Sequence, residues 1–500
     1  MNEMTAFSVL PATPRIFENY IDGAFVPSVS GETTLRLSPA HDHPVTQISK
    51  SNIADLDQAI SAARVAFDDR RWSGKSGGDR AAVMLNAARI IRERLHEIAY
   101  WETLETGKPI NQSKGEVAGC ADMFEFASGL ARTLHGDSFN NLGDELFGMV
   151  TREPVGVVGL ITPWNFPFLI LCERVPYILA SGCSIVAKPS EFTSATTVML
   201  AEILTQAGLP AGVMNVVTGS GSVIGQALCD HHDVDMISFT GSTQVGRNVI
   251  RAAGDSNFKK LGLELGGKNP QIVFADADLN DAADGVAFGM CFNTGQCCVS
   301  GSRLLIERSA MPEFIEKLKA KLSKVIAGDP LDTNTQIGAI TTPAQNATIL
   351  SYIEQGQEAG ARLEFGKGAI GNGPGQYIGP VVFSDVTPEM SIYTDEIFGP
   401  VLTITPFDSI DEAVTLANDT KYGLAASVWT KNVETALYVT RRVQAGRFWV
   451  NTTLAGGPEL PLGGFKQSGW GREAGKYGVE EYTQIKSVHF ETGKREHWIK

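Results

Sequence analysis

The chain has 500 residues and a formal charge of −14, with 43% apolar and 20% charged residues. That length and balance suit two or three folded domains with ample core material, and they exclude wholesale disorder. The acidic balance argues against a nucleic-acid backbone or an anionic membrane as the main partner, since both attract basic surfaces.

In chain order, residues Met1 to Phe7 carry an acid and no basic region ahead of an apolar run, so no secretory signal is evident. Apolar residues recur at helical spacing through Leu56, Ile60, Ala63 and Phe67, with Asn52 or Asp55 as the cap. A second stripe runs Met84, Ala88, Ile91, Leu95 and Ile98. Short β-rich runs follow at Val155 to Ile161, Ser184 to Ala187, Met214 to Val217, Met236 to Phe239 and Gln271 to Phe274. Helical patterns separate several of them, for example Ala195 to Ala207, which ends at Gly208 with Pro210 just beyond. Strands alternating with helices predict βαβ units and a parallel sheet, whose ligands bind at the strands' carboxyl ends. The alternation repeats from about Cys291 to Ala455, interrupted by Gly366 to Gly379, which reads as a surface loop. The tail from Tyr482 to Phe490 alternates enough for an edge strand, which invites pairing with another chain. The longest apolar stretches, near Val155 to Ile161 and Val175 to Ala187, are broken and too short to span a bilayer. Seven irregularly spaced cysteines suit a reducing cytoplasm better than a disulfide framework.

Several segments could carry chemistry. Gly219-Ser-Gly-Ser-Val-Ile-Gly225 follows a strand and opens a helix, as a pyrophosphate turn would, although a plain strand-to-helix turn uses glycines too. Phe239-Thr-Gly-Ser-Thr-Gln-Val-Gly246 repeats the arrangement. Lys188-Pro-Ser-Glu191 ends a strand with an acid that could hold ribose hydroxyls, but spacing alone favours a solvated charge pair. Asn293-Thr-Gly-Gln-Cys297-Cys298 presents two thiols. A single cysteine is more often a structural core residue, yet a turn running into a helix here would offer N–H groups to a thiolate. Glu264 precedes paired glycines just ahead of a strand, where an exposed acid is the ordinary case. Thr162-Pro-Trp-Asn-Phe-Pro167 clamps a turn between two prolines, which suits rigid display of the Asn165 amide as well as a structural turn.

Together these segments resemble the aldehyde dehydrogenase superfamily, from about Ile16 to Val488. The resemblance rests on TPWNFP (Thr162 to Pro167), ELGGKNP (Glu264 to Pro270), FNTGQCC (Phe292 to Cys298), EIFGPV (Glu396 to Val401) and PLGGFKQSGWGRE (Pro461 to Glu473). It implies an α/β fold with a Rossmann-like coenzyme domain over 1–135 and 153–262. A catalytic α/β domain would cover 263–460, and a small β oligomerisation flap 136–152 and 461–500. The Gly-Gln-x-Cys pattern makes Cys298 the nucleophile, 34 residues beyond Glu264, the implied general base. Asn165 and the backbone N–H of Cys298 would form the oxyanion hole. NAD is the implied cofactor, held by Ile161, Thr162, Trp164, Lys188, Glu191, Gly221, Gly225, Phe239, Gly241, Ser242, Val245, Leu265, Glu396 and Phe398. No metal site is implied. Glu191 should favour NAD over NADP, because a 2′-phosphate would meet its carboxylate.

The implied reaction is oxidation of an aldehyde to its acid through a thioester on Cys298, in a cytoplasmic homodimer or homotetramer. Relatives that pass the acyl group to coenzyme A usually lack the base matched by Glu264. A non-catalytic, crystallin-like relative is the main competing class. A Cys–His hydrolase would need a histidine, and none of the eight lies in a matched motif. Glu173 stands where many relatives carry Trp. It predicts a small polar or amino-aldehyde substrate if it lines the entrance, and nothing if it merely pairs with Arg174. A semialdehyde is the alternative.

Overall fold

Four apolar runs of the first half, joined by Lys260–Glu264, which sequence pattern does not mark, form five parallel strands: Val157–Ile161, Ser184–Lys188, Met214–Val216, Met236–Thr240 and Lys260–Glu264, while the fifth run, Gln271 to Phe274, falls in a second sheet. All but Lys260–Glu264 are buried along their length or nearly so, as parallel strands covered by helices on both faces must be. This computed structural model describes residues 7, 9–371, 374–494 and 497–499. The readings of residues 1–6, of 372–373 in the Gly-rich stretch and of 495–496 and 500 in the tail lie outside the described residues.

Across the sheet the order runs Lys260–Glu264, Met236–Thr240, Val157–Ile161, Ser184–Lys188, Met214–Val216. An antiparallel hairpin, Asn19–Ile21 with Ala24–Val26, extends one edge, and Gly469–Trp470 extends the other. The chain's direction of travel reverses between Val157–Ile161 and Met236–Thr240, the switch point at which such sheets open a crevice. Register sets Ile161 beside Lys188 on one side and beside Phe239 on the other.

Among the helices, Asn52 rather than Asp55 caps Ile53–Asp68. Asp55 is instead the reciprocal partner of a capping box. The stripe from Met84 to Ile98 divides into two helices, Gly77–Glu93 and Leu95–Thr106. Arg94 is the joint, and its guanidinium is held by Glu97 and Glu202, each at 2.9 Å. Hydrophobic periodicity alone runs straight through such a break.

The second half builds another sheet of six parallel strands: Pro270–Val273, Arg303–Glu307, Val381–Ser384, Val401–Phe407, Ala425–Trp429 and Arg447–Val450. Arg362–Phe365 is antiparallel at one edge. The link 265–269 leaves the carboxyl end of the first sheet and enters the amino end of the second. Because the six strands run parallel to Pro270–Val273, all their amino ends face this junction. The tail strand Thr483–Glu491 is an edge strand, as its alternation predicts. It pairs antiparallel with Leu146–Pro154 from Thr483↔Pro154 to Glu491↔Leu146. No helix among the described residues is long and apolar enough to cross a membrane. All seven cysteines are free thiols.

Candidate active site

The coenzyme-binding candidates lie along the carboxyl ends of the first sheet. Lys188 ends its strand and is 4% exposed. Burial depresses its pKa to about 8, and the nearby Glu191 carboxylate opposes that shift. The turn after Met214–Val216 folds over it: a Cβ on Gly221 would sit 3.7 Å from Lys188 Nζ, and one on Gly225 4.0 Å from its Cδ. Beyond the strand Met236–Thr240, Gly241 and Gly246 have no room for side chains. A Cβ there would meet the Phe239 ring at 2.6 Å or Leu265 at 2.7 Å. Ser242 caps Thr243–Asp255 by accepting from the Val245 N–H at 3.3 Å, and both residues are exposed. Two glycine-lined helix starts and a buried ammonium therefore converge above Ile161 and Thr162, an arrangement suited to a pyrophosphate.

The thiol loop follows Leu279–Cys291 and takes three successive left-handed residues, Asn293 (φ 51°), Thr294 (φ 56°) and Gly295 (φ 71°). Such conformations cost roughly 1–3 kcal/mol at non-glycine positions and persist only where the surroundings impose them. Here side chains impose them. Asn293 Nδ2 donates to the carbonyls of Asn165 (2.9 Å) and Gln296 (3.0 Å), and Gln296 Oε1 accepts from the Thr341 N–H at 2.9 Å. Gly295 is obligatory, since its Cβ would lie 2.2 Å from the carbonyl carbon of Gly399.

The expected helix after Gly295 is absent. Cys298 instead lies in a turn, with the Ser300 N–H donating to Cys297 O at 3.0 Å. Asn269 Nδ2 donates to the carbonyls of Cys298 and Ser300, both at 2.8 Å, which pins the turn before Arg303–Glu307 begins. Thiolate stabilisation by a helix start is therefore not available to Cys298.

The two thiols differ in surroundings. Cys297 is buried against Phe166 and Ile170, whereas Cys298 is only partly buried. The Cys298 thiol is held well above its ordinary pKa, first by its hydrogen bond with Cys297, then by burial, with Glu396 and Glu173 adding repulsion. Asn165 is 4% exposed, and its Nδ2 donates to Gln296 O at 3.1 Å, which fixes the amide beside the thiol loop.

Glu264 ends the strand facing this loop. It is 5% exposed, and its Oε1 has no hydrogen-bond partner among the described residues. Burial drives its pKa well up against the attraction of Arg174, and Glu473, Cys298 and Glu173 raise it further. Behind it, Arg174 is 1% exposed and lies 3.3 Å from Glu473 and 3.7 Å from Glu173. Arg174 also donates to Thr240 Oγ1 at 2.6 Å. The Tyr482 hydroxyl donates to Glu473 at 2.8 Å, so the tail reaches the buried charge cluster.

From the second sheet, Glu396 Oε1 accepts from the Gly267 N–H at 2.9 Å, and burial pushes its pKa up to about 7. Phe398, itself left-handed at φ 58°, meets Trp164 edge to face with centroids 5.4 Å apart. Leu265, the first residue of the link, is anchored by donating to Ser468 O at 2.9 Å. The candidates thus gather at one junction between the two sheets. Arg174, Glu473, Asn269, Asn293 and Gln296 complete it. Sequence reading gave none of them a part in the chemistry, and offered Arg174 only as a pairing partner for Glu173, although an arginine inside the apolar stretch from Phe168 to Ala180 is a visible anomaly.

A cavity of about 980 Å³ opens beside the thiol loop, lined among others by Leu169, Glu173, Phe292, Arg447 and Leu454. Leu169 and Phe292 also pack against the Phe166, Ile170 and Cys297 cluster. Glu173 thus lines an opening and also stands 3.7 Å from Arg174.

Comparison with known proteins agrees with this geometry. A family model described as the aldehyde dehydrogenase family matches residues 25–488. An Aspergillus niger aldehyde dehydrogenase is 39% identical over 474 residues, 95% of each chain. The Escherichia coli NADP/NAD-dependent aldehyde dehydrogenase PuuC is 40% identical over 471 residues, 94% of each chain. The crystal structure of an NAD-dependent aldehyde dehydrogenase from Sinorhizobium meliloti superposes with a TM-score of 0.96 at 49% identity, covering 97% of this chain and 96% of that one. With the match running nearly end to end, the chain belongs to the aldehyde dehydrogenase family.

Proposed function

We propose that this protein oxidises an aldehyde to its carboxylic acid with NAD, using Cys298 as nucleophile, Glu264 as general base and Asn165 as oxyanion donor. The observation that carries the reading is the pairing of a partly exposed thiol in a pinned loop with a buried carboxyl of raised proton affinity whose Oε1 has no hydrogen-bond partner among the described residues. A base of raised pKa is the better proton acceptor near neutral pH.

The glycine surfaces around Lys188 and the two helix starts fit a dinucleotide, and Glu191 favours one without a 2′-phosphate. When bound, NAD supplies the oxidising power by accepting hydride from the substrate carbon. The chain does the rest. Deprotonated Cys298 adds to the carbonyl carbon, and the Asn165 amide with the Cys298 N–H receives the charge on oxygen. Loss of hydride leaves a thioester on Cys298. Glu264 takes a proton from water, which attacks the thioester and frees the acid and the thiol. Overall, aldehyde, NAD and water give acid, NADH and a proton. Glu396 and Phe398 orient the nicotinamide end, with Trp164 bracing the Phe398 ring.

The same reading assigns coenzyme binding to 1–135 and 153–262, catalysis to 263–460, and subunit association to 136–152 and 461–500. It makes the protein a cytoplasmic homodimer or homotetramer, with the edge strand Thr483–Glu491 in the interface. Incubation with NAD and an aldehyde panel tests the activity: NADH and acid should form in equal amounts and vanish in Cys298→Ser. Normal folding with no NADH from any aldehyde would favour the non-catalytic reading.

A further inference from the structure

The walls of the 980 Å³ cavity carry several charges, and they differ in what already satisfies them. Glu116 is bound by Lys108 at 2.6 Å and by Gln112 at 2.8 Å. Asp122 pairs with Arg92 at 2.7 Å and Asp284 with Lys321 at 3.0 Å. Glu173 stands 3.7 Å from Arg174. Two cations of the wall, Lys324 and Arg447, make no side-chain hydrogen bond and no ion pair among the described residues, and of the two Arg447 is the one at a strand end beside the thiol loop.

Its position matters as much as its freedom. Arg447 opens the strand Arg447–Val450, so it sits at the amino end of the second sheet, the end that faces the thiol loop. A Cβ on Gly456 would lie 3.5 Å from Arg447 Nη2, so glycine there keeps the guanidinium uncovered. The Trp449 ring, 5.8 Å from the guanidinium carbon, flanks the same side chain. A half-buried guanidinium with idle donors, in the wall of a cavity beside a nucleophile, is an anion receptor.

From this we propose that Arg447 binds a carboxylate at the far end of the substrate, so that ω-carboxy aldehydes (semialdehydes) are the preferred class. The planar fork of the guanidinium matches both oxygens of a carboxylate. Glu116 and Glu173 in the same walls disfavour a doubly charged phosphate. A cationic aldehyde is the poorer fit, because Glu173 already has Arg174 at 3.7 Å. The inference rests on the aldehyde-oxidising reading above.

The test compares kcat/KM for 5-oxopentanoate, pentanal and 4-aminobutanal in the wild type, Arg447→Gln, Arg447→Lys and Glu173→Gln. The wild type should prefer 5-oxopentanoate. That preference over pentanal should fall about 10- to 100-fold in Arg447→Gln, the scale of a lost charge-assisted hydrogen bond, and be partly kept in Arg447→Lys. Glutarate should also compete with pentanal in the wild type, a readout that needs no variant to fold. Wild-type preference for pentanal or 4-aminobutanal, or an unchanged ratio in Arg447→Gln, overturns the carboxylate assignment while leaving aldehyde oxidation intact. Absence of NADH from all three aldehydes overturns the underlying reading instead.

Discussion

Two adjacent thiols define the residue scale. Cys297 is walled in by Phe166 and Ile170, so Cys297→Ser should keep most activity, while Cys298→Ser should abolish NADH formation in a steady-state assay. Asn165→Ala removes one preorganised donor and should lower kcat by about 10²–10³. The pH response has a definite sign. Burial raises the proton affinity of Glu264, and the Cys297 bond and burial do the same for Cys298, so both rest protonated at low pH. Activity should therefore climb from acid through neutral into alkaline solution. Stability runs the other way. A carboxyl with a raised folded pKa stabilises the fold fully below its ordinary value and loses that contribution as pH rises through the folded value. Glu264→Gln should accordingly gain stability relative to wild type as pH rises above the ordinary carboxyl range, read as the difference in denaturation midpoint. Chemistry alone left either cysteine open, and the family register pointed to Cys298. The lone Oε1 of Glu264 was invisible in sequence, because burial is set by residues hundreds of positions away, such as Ser468 and Glu473.

At the scale of elements, glycines separate two kinds of constraint. Gly295 is left-handed, and its Cβ would strike the backbone of Gly399 at 2.2 Å, where nothing can yield. Gly295→Ala should cost at least about 1–3 kcal/mol in strain alone, seen as a lower unfolding midpoint together with lost activity. Gly266 differs, since its Cβ would meet only the carboxylate tip of Glu396, also at 2.2 Å. Gly266→Ala should displace that side chain, raising the KM for NAD and lowering kcat with little change in unfolding midpoint. The five strands read from apolar runs lie within about two residues of those observed, because apolar runs mark parallel strands, whereas Lys260–Glu264, charged at both ends, was not legible. Nor were the break at Arg94 and the missing helix at Cys298. Both depend on polar side chains (Glu202, Asn269) that arrive from distant segments.

For the whole molecule, the site exists because the link 265–269 joins the carboxyl ends of one parallel sheet to the amino ends of another. Alternation of strands and helices predicted parallel sheets, but not that two sheets would share one crevice. That arrangement depends on pairings such as Glu264 with Gly469, which local pattern cannot reveal. The tail strand ties into the same structure, since Tyr482 bonds Glu473 just before Thr483–Glu491 leaves to pair with Leu146–Pro154. If that edge strand mediates association, Ile485→Lys on its exposed side should lower the oligomeric mass measured by light scattering. The central claim, an acyl group carried on Cys298 and released by Glu264, is tested most directly by trapping it. Glu264→Gln, mixed with NAD and an aldehyde and quenched, should yield about one NADH per subunit and one acyl mass on Cys298, located by fragmentation mass spectrometry. An acyl group on Cys297, or NADH formed with no covalent adduct on either thiol, would contradict it.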